Sequence, residues 1–367
     1  MTTHVAEDIL PGHPDRLADA VAESIVDLAI ARDEDALVGV EVGVHRGVCF
    51  LTGRVAAGRE ALALAEVEAA ARARYAEAGY RGPWGIDLRV ENDLDLGPLA
   101  ADERGIRRYS DDQSIVVGHA SGSAATGHLP PAVWLARRLR LRFTELRESH
   151  ADRLGPDGKV LVRITEAGGR FAWERCNVAL HHAEGVGYEE LHRLALAAIG
   201  AALPELDSAL PGLADSWGLD VLRVNGAGDF SCGGPRGDNG LSGKKLAVDL
   251  YGPQVPLGGG ALCGKDPHKV DRIGALCARE LALLLRDATG ARATTVWLSY
   301  VPGLDRPDGV VAEVDGASWS AADIAAAVSV PSLAIPDAFD RLGLARVSWL
   351  DAMRRGYFGG AASWEPR

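Results

Sequence analysis

The chain has 367 residues, 47% of them hydrophobic and 25% charged, the proportions of an ordinary globular protein large enough for two or three cores. Its net charge of −12 argues against a general nucleic-acid binder and against attraction to an anionic membrane surface. No basic-then-apolar leader opens the sequence, no apolar run is long enough to span a membrane, and the five cysteines lack C-x-x-C spacing; a cytoplasmic chain with reduced thiols and no structural zinc is expected.

In chain order, Pro14–Ala31 sets Leu17, Val21, Ile25 and Leu28 at helical spacing, with a proline in the first turn. The alternating run LVGVEVGVHRGVCFLTGRV predicts two strands about a turn at Arg46-Gly47. An alanine-rich helix over Arg59–Gly79 and a short strand over Gly85–Val90 follow. Asp93–Gln113 is polar, contains Gly97-Pro98 and has no period, so it reads as a long connection of the kind that forms a lid or binding loop. Pro131–Ser149 and Tyr188–Ala201 read as helices flanking a hairpin over Val160–Glu166 and Arg170–Ala179. Residues 225–264 are rich in glycine. Beyond them, Pro267–Asp287 is a helix with Val270, Ile273, Cys277, Leu281 and Leu284 on one face, and Thr294–Val314 is a hairpin turning at Asp305–Gly309. Strands and helices thus alternate in about three units, without a detectable sequence repeat.

Four segments carry chemistry. Pro11-Gly-His-Pro-Asp-Arg16 opens a helix, whose free N–H groups suit phosphate oxygens. There His13 could donate to an anion and Asp15 could hold a divalent metal; the same residues also serve as a plain helix cap. Gly237-Asp-Asn-Gly-Leu-Ser-Gly-Lys-Lys245 lets backbone wrap an anion that lysines neutralise, with a charged solvent turn as the alternative. GGGALCGKDPHKVDR, residues 258–272, adds Lys265, Lys269 and a second metal candidate, Asp271, while Asp266-Pro267 would start the helix. Gly155-Pro-Asp-Gly-Lys159 alone is a hairpin turn, and His181-His182 is hydrogen-bonded structure with no third ligand. Lysines, two carboxylates and glycine-rich backbone together fit a Mg-polyphosphate site.

These segments, in this order, resemble the S-adenosylmethionine synthetase family. Its G-H-P-D-K stands here as GHPDR, its G-D-Q-G as Asp111-Asp-Gln-Ser114, and its P-D-[AG]-K as Pro156-Asp-Gly-Lys159. Its two long glycine-rich signatures stand as GGPRGDNGLSGKK, residues 233–245, and GGGALCGKDPHKVDR. The resemblance implies an α+β fold of three pseudo-threefold-related domains of mixed β-sheet with helices on one face. These domains are assigned to 1–102, 103–226 and 227–367, with segments interleaving, in a homodimer or homotetramer with active sites between subunits. It also implies adenosyl transfer from ATP to the methionine sulfur, cleavage of the triphosphate to pyrophosphate and phosphate, and assistance by Mg2+ and K+.

Carried over by position, the resemblance gives His13 the triphosphate near the breaking bond and gives Asp15 and Asp271 the Mg2+. It gives phosphates to Lys159, Lys244, Lys245 and Lys265, with Lys269 near phosphates or amino acid. Asp157, Asp229, Phe230 and Ala261 fall at the ATP site, Asp112 and Asp238 near nucleoside and amino acid, and Glu41 at potassium. Two positions depart on the methionine side. Arg54 replaces a glutamate that meets the ammonium, and Asn92 stands for a glutamine. Arg54 would repel an ammonium and is expected to pair with a carboxylate such as Glu41 or one on a substrate. Two readings therefore stand beside the first: the same ATP/Mg site acting on another thioether or nucleophile, and a nucleotide-binding regulatory homologue.

Overall fold

The computed structural model describes residues 1–365. One sequence of elements recurs three times: a strand, a helix, a β-hairpin and a second helix. In the first unit these are β1 (Thr2–Ile9), α1 (Pro14–Arg32), the hairpin β2 (Leu37–His45) and β3 (Val48–Ala56), and α2 (Leu64–Glu77), closed by β4 (Arg89–Gly97). After the short α3 (Ala101–Ile106), the second runs β5 (Ser114–Ala120), α4 (Pro131–Ser149), β6 (Leu154–Ala167), β7 (Arg170–His182), α5 (Tyr188–Ala209) and β8 (Leu222–Val224). The third has β9 (Gly240–Leu241), the one-turn α6 (Leu246–Asp249), α7 (Val270–Thr289), β10 (Thr294–Tyr300), β11 (Gly309–Val314), β12 (Ala317–Trp319) and α8 (Ala321–Ala327). Helices α9 (Ile335–Leu342) and α10 (Trp349–Arg355) are the last elements of the described residues.

The first strand of each unit leaves its own hairpin and pairs with another. β1 joins β6, β5 joins β10, and β9 returns to β2, always antiparallel. Three four-stranded sheets result, ordered β1-β6-β7-β8, β5-β10-β11-β12 and β9-β2-β3-β4. This cyclic exchange ties the three units together, and each sheet draws on at least two of the three sequence segments. Alternation sets the faces. In β2, Val38, Val40, Val42 and Val44 are buried, while Glu41 and His45 face out with Phe50, Thr52 and Arg54 of β3.

Helix α1 is buried nearly all round, between β2, α2, β9 and α10. A helix so placed is normally apolar throughout; this one buries Asp15, Arg16, Asp19 and Glu23. Each is paired: Arg16 with Asp19 at 3.1 Å and Asp249 at 2.7 Å, and Glu23 with Arg272 at 2.7 Å, Arg272 itself lying over the Trp349 ring. Removing either member of such a pair leaves an uncompensated buried charge.

The hairpins at 37–56 and 294–314 and the helix at 131–149 lie where periodicity puts them. Other expectations are corrected. The strand expected at Gly85–Val90 is β4, shifted to Arg89–Gly97, and it runs parallel to β3. Its outward residues Glu91, Asp93 and Asp95 are acidic, so the strand resembles a polar connection in sequence. The remainder of that connection is tied to the body of the protein by charge. Arg104 of α3 pairs with Asp33 and Asp35, and the buried Arg107 pairs with Asp266. Gly155–Lys159 is not a turn but the irregular first part of β6, where a Cβ on Gly155 would lie 2.2 Å from His181. Helix α7 starts at Val270 with Lys269 as N-cap, later than Asp266-Pro267 implies. Asp266 instead accepts hydrogen bonds from the Val38 and His268 amides. Helix α5 continues through Pro204 to Ala209.

Candidate active site

The first cluster forms where α1 begins. His13 is the N-cap; its Nδ1 accepts a hydrogen bond from the Asp15 amide at 3.1 Å, which leaves Nε2–H as the outward donor. Burial, and then the nearby Lys159 charge, depress its pKa to about 3, so His13 is neutral at pH 7. Asp15 accepts from the Leu241 amide at 3.0 Å and pairs with Lys245 at 2.7 Å, with Lys244 at 3.6 Å. Burial raises its pKa, but the Lys245 hydrogen bond and the Leu241 amide outweigh burial and hold it below the usual value. The loop reaches α1 this closely because of Gly240, where a Cβ would sit 2.2 Å from the Pro14 backbone.

A second cluster faces the edge of β2. Lys265 bridges Gly39 and its ammonium meets Asp271, whose other oxygen accepts from Ser114 Oγ at 2.5 Å. Lys269 pairs with Asp111 at 2.7 Å. Lys265, Lys269, Asp111 and Asp271, with Glu41 and Asp112, line a small hollow of about 100 Å3. The loop 240–245 joins the clusters: Ser242 Oγ donates to Glu41 at 2.6 Å, while its neighbour Leu241 holds Asp15. A Cβ on Gly260 would lie 2.3 Å from the Asp271 carboxylate, so the glycine run of residues 258–260 gives that carboxylate its room.

Asp157 is buried, accepts from the Gly234 amide at 2.8 Å and keeps a second oxygen without a partner; burial pushes its pKa up to about 6. The Phe230 amide donates to His182 Nε2 at 2.9 Å, and its ring lies 5.5 Å from that of His181. Ala261 packs against Gly243. Asp238 and Asp229 are exposed, Asp238 bordering a cleft of about 380 Å3 with Phe50 and Leu241. Asn92 pairs with the inward-facing Leu51 and lies on the opposite face of the sheet from Arg54 and Glu41.

Arg54 is paired, but not with Glu41. It makes a bidentate contact to Glu103 of α3 at 2.9 and 3.2 Å and reaches Asp95 at 3.0 Å. Asp111, Ser114 and Ser242 lie within the motifs but carry no role that the sequence itself signals. Asp111 stands beside Asp112 in a doublet, and both line the hollow: Asp112 accepts from the Gln113 amide while Asp111 faces Lys269.

Among the described residues no three His, Cys, Asp or Glu side chains converge as a metal cage. Two carboxylates amid lysines nevertheless suit Mg2+, which takes a few protein oxygens and completes its shell with water and substrate phosphates.

Residues 2–92 match the S-adenosylmethionine synthetase N-terminal domain, and residues 232–366 match the C-terminal domain of the same family. The S-adenosylmethionine synthase of Hyphomonas neptunium is 33% identical over 327 residues, which cover 85% of this chain and 80% of the relative. The chain belongs to the S-adenosylmethionine synthetase family. The Thermus thermophilus S-adenosylmethionine synthase is 30% identical over 332 residues, covering 85% of this chain and 81% of its own. A solved structure described as an unusual S-adenosylmethionine synthetase from Campylobacter jejuni superposes with a TM-score of 0.86 at 26% identity, covering 100% of this chain and 97% of that one. The α+β fold of three sheets is thus that of an S-adenosylmethionine synthetase, and an enzyme of the transferase class. No helix of the described residues is long and apolar enough to cross a membrane.

Proposed function

We propose that the chain transfers the adenosyl group of ATP to the sulfur of methionine, forming S-adenosylmethionine, and cleaves the displaced triphosphate to pyrophosphate and phosphate. The observation that carries this reading is the pairing of Lys245, Lys265 and Lys269 with Asp15, Asp271 and Asp111 on loops joined through residues 240–245. Such cations are preorganised at fixed positions, and their carboxylate partners can be exchanged for phosphate oxygens when nucleotide binds.

The thioether sulfur attacks C5′ as its C–O bond to the triphosphate breaks, and the electron pair leaves with the oxygen. A neutral sulfur needs no general base, so rate comes from alignment and from charge placed around the leaving group. Neutral His13 donates Nε2–H toward the departing oxygen, and Lys159, Lys244, Lys245 and Lys265 face the phosphates. Asp15 and Asp271 would hold Mg2+, which when bound adds positive charge to the leaving group. Glu41, with one oxygen taken by Ser242, would hold K+. Asp157 and Phe230 border the nucleoside.

At the amino-acid end, the reading keeps methionine. Arg54 is neutralised by Glu103 and Asp95, and Glu91 and Asp93 lie on the same outward face of β4, so this surface is acidic overall and suits an ammonium. The second subunit, in this reading, covers the exposed sheet faces that carry Phe50 and Leu241, Ile115 and Val311, and Leu161. The test is formation of S-adenosylmethionine from ATP, Mg2+ and methionine, followed by mass spectrometry, in the parent and in Lys245→Met. The proposal predicts product from the parent and at least about a hundredfold less from the variant. Equal rates would refute the role of Lys245, and no product from either would refute the reaction.

A further inference from the structure

Helix α1 borders a second cavity, of about 460 Å3, that shares none of the groups placed above at the nucleotide. Its volume is that of a site for a small molecule. Ile9, Leu141, Val248 and Met353 give it an apolar wall. Its charges are unbalanced: six arginines (16, 74, 137, 140, 354 and 355) face four carboxylates, Asp8, Glu77, Glu148 and Asp249. Three of those carboxylates are engaged. Asp249 pairs with Arg16 at 2.7 Å, Asp8 with Arg140 at 3.4 Å, and Glu77 is shared by Arg74 and Arg354.

Among the described residues Arg137 and Arg355 have no such partner, and of the two only Arg137 is buried. Only 9% of it is exposed, and among the described residues no carboxylate lies within 4.0 Å of its guanidinium. Among the described residues its one hydrogen-bond partner is the Phe358 carbonyl. The guanidinium rests on the backbone of Gly356, at φ +89°, where any Cβ would come 2.2 Å from Arg137 Cζ. A guanidinium has five N–H donors, so most of this one's capacity is unused beside the cavity. Burial lowers its pKa to about 10, so it remains charged at neutral pH. A buried, unpaired charge is costly, and an anion in the cavity would offset that cost.

We propose that this cavity binds a small organic anion, a carboxylate or phosphate monoester with an apolar body, held bidentately by Arg137. The planar fork of the guanidinium matches both oxyanions, and the apolar wall selects against inorganic ions.

The test is calorimetric titration of the full chain with benzoate and, separately, with phenyl phosphate. The polyphosphate site is kept filled by a non-hydrolysable ATP analogue and Mg2+. Saturable binding of at least one probe, near one per chain, is expected, and the probe that binds names the class. Arg137→Met should weaken it about tenfold or more, the loss of a charged hydrogen-bonded contact. Thr144→Glu keeps Arg137 and adds to the cavity wall, two turns along α4, a carboxylate that repels an anion, and should weaken binding likewise. Thermal melts report whether each variant is folded. Absence of saturable binding by either probe, or binding unchanged in both folded variants, would overturn the proposal.

Discussion

His13 sits at the first turn of α1 with its Nδ1 committed to the Asp15 amide, and its pKa of about 3 lies far below the 6.5 of an exposed imidazole. The unfolded chain therefore takes up the proton first as pH falls. The stability His13 contributes is complete above about pH 6.5 and is lost as pH drops toward 3. His13→Asn keeps a good N-cap and removes the titration. Between pH 6.5 and 5 the parent should lose about 2 kcal/mol more stability than the variant, read from urea unfolding at both pH values. Equal losses would mean that His13 is protonated in the native state. Arg54 makes a different kind of prediction. The sequence shows a cation where the family has a glutamate; the structure shows that cation fastening α3 to the sheet through Glu103 and Asp95. Arg54→Glu would set three carboxylates together and release α3 from the sheet, so it should cost about 1 kcal/mol at this partly exposed site, read from urea unfolding. Unchanged or increased stability would contradict this account of the position.

The elements that shape the site are loops locked to helices by glycine and by buried charge. Gly240→Ala would push β9 off the start of α1, break the Leu241–Asp15 hydrogen bond and displace Lys245. Misplacement on that scale should lower kcat/KM for ATP by about a hundredfold while the chain remains folded. Asp266 joins Arg107 to the Val38 and His268 amides ahead of α7. Asp266→Ala leaves a buried guanidinium and two amides without partners and should destabilise by about 3–5 kcal/mol, measured by urea unfolding. Neither role could be read from local sequence. Asp266 looks like a helix cap because Pro267 follows it, and Gly155–Lys159 looks like a turn because Pro-Asp-Gly usually is one. Both are decided by partners far away in the chain: Val38 for the first, His181 for the second.

Over the whole molecule, what was legible followed the range of the signal. Helices α1, α4 and α7 and the hairpins carry their own periodicity, and the two glycine-rich signatures carry most of the lysines of the proposed polyphosphate site. The exchange of β1, β5 and β9 between units leaves no local trace, and β4 was obscured by the acidic residues of its outward face. Those exchanged sheets leave Phe50 and Ile115 52% and 56% exposed, apolar area that a second copy of the chain would cover. Phe50→Asp should convert an oligomer to a monomer in light scattering, and a parent that is already monomeric would contradict the dimer proposal. Whether the triphosphate is displaced by methionine among these lysines is read by counting products with and without methionine. S-adenosylmethionine, pyrophosphate and phosphate are expected in equal amounts with ATP, Mg2+ and methionine, and almost none when methionine is omitted. Phosphate release at the same rate without methionine would contradict that displacement.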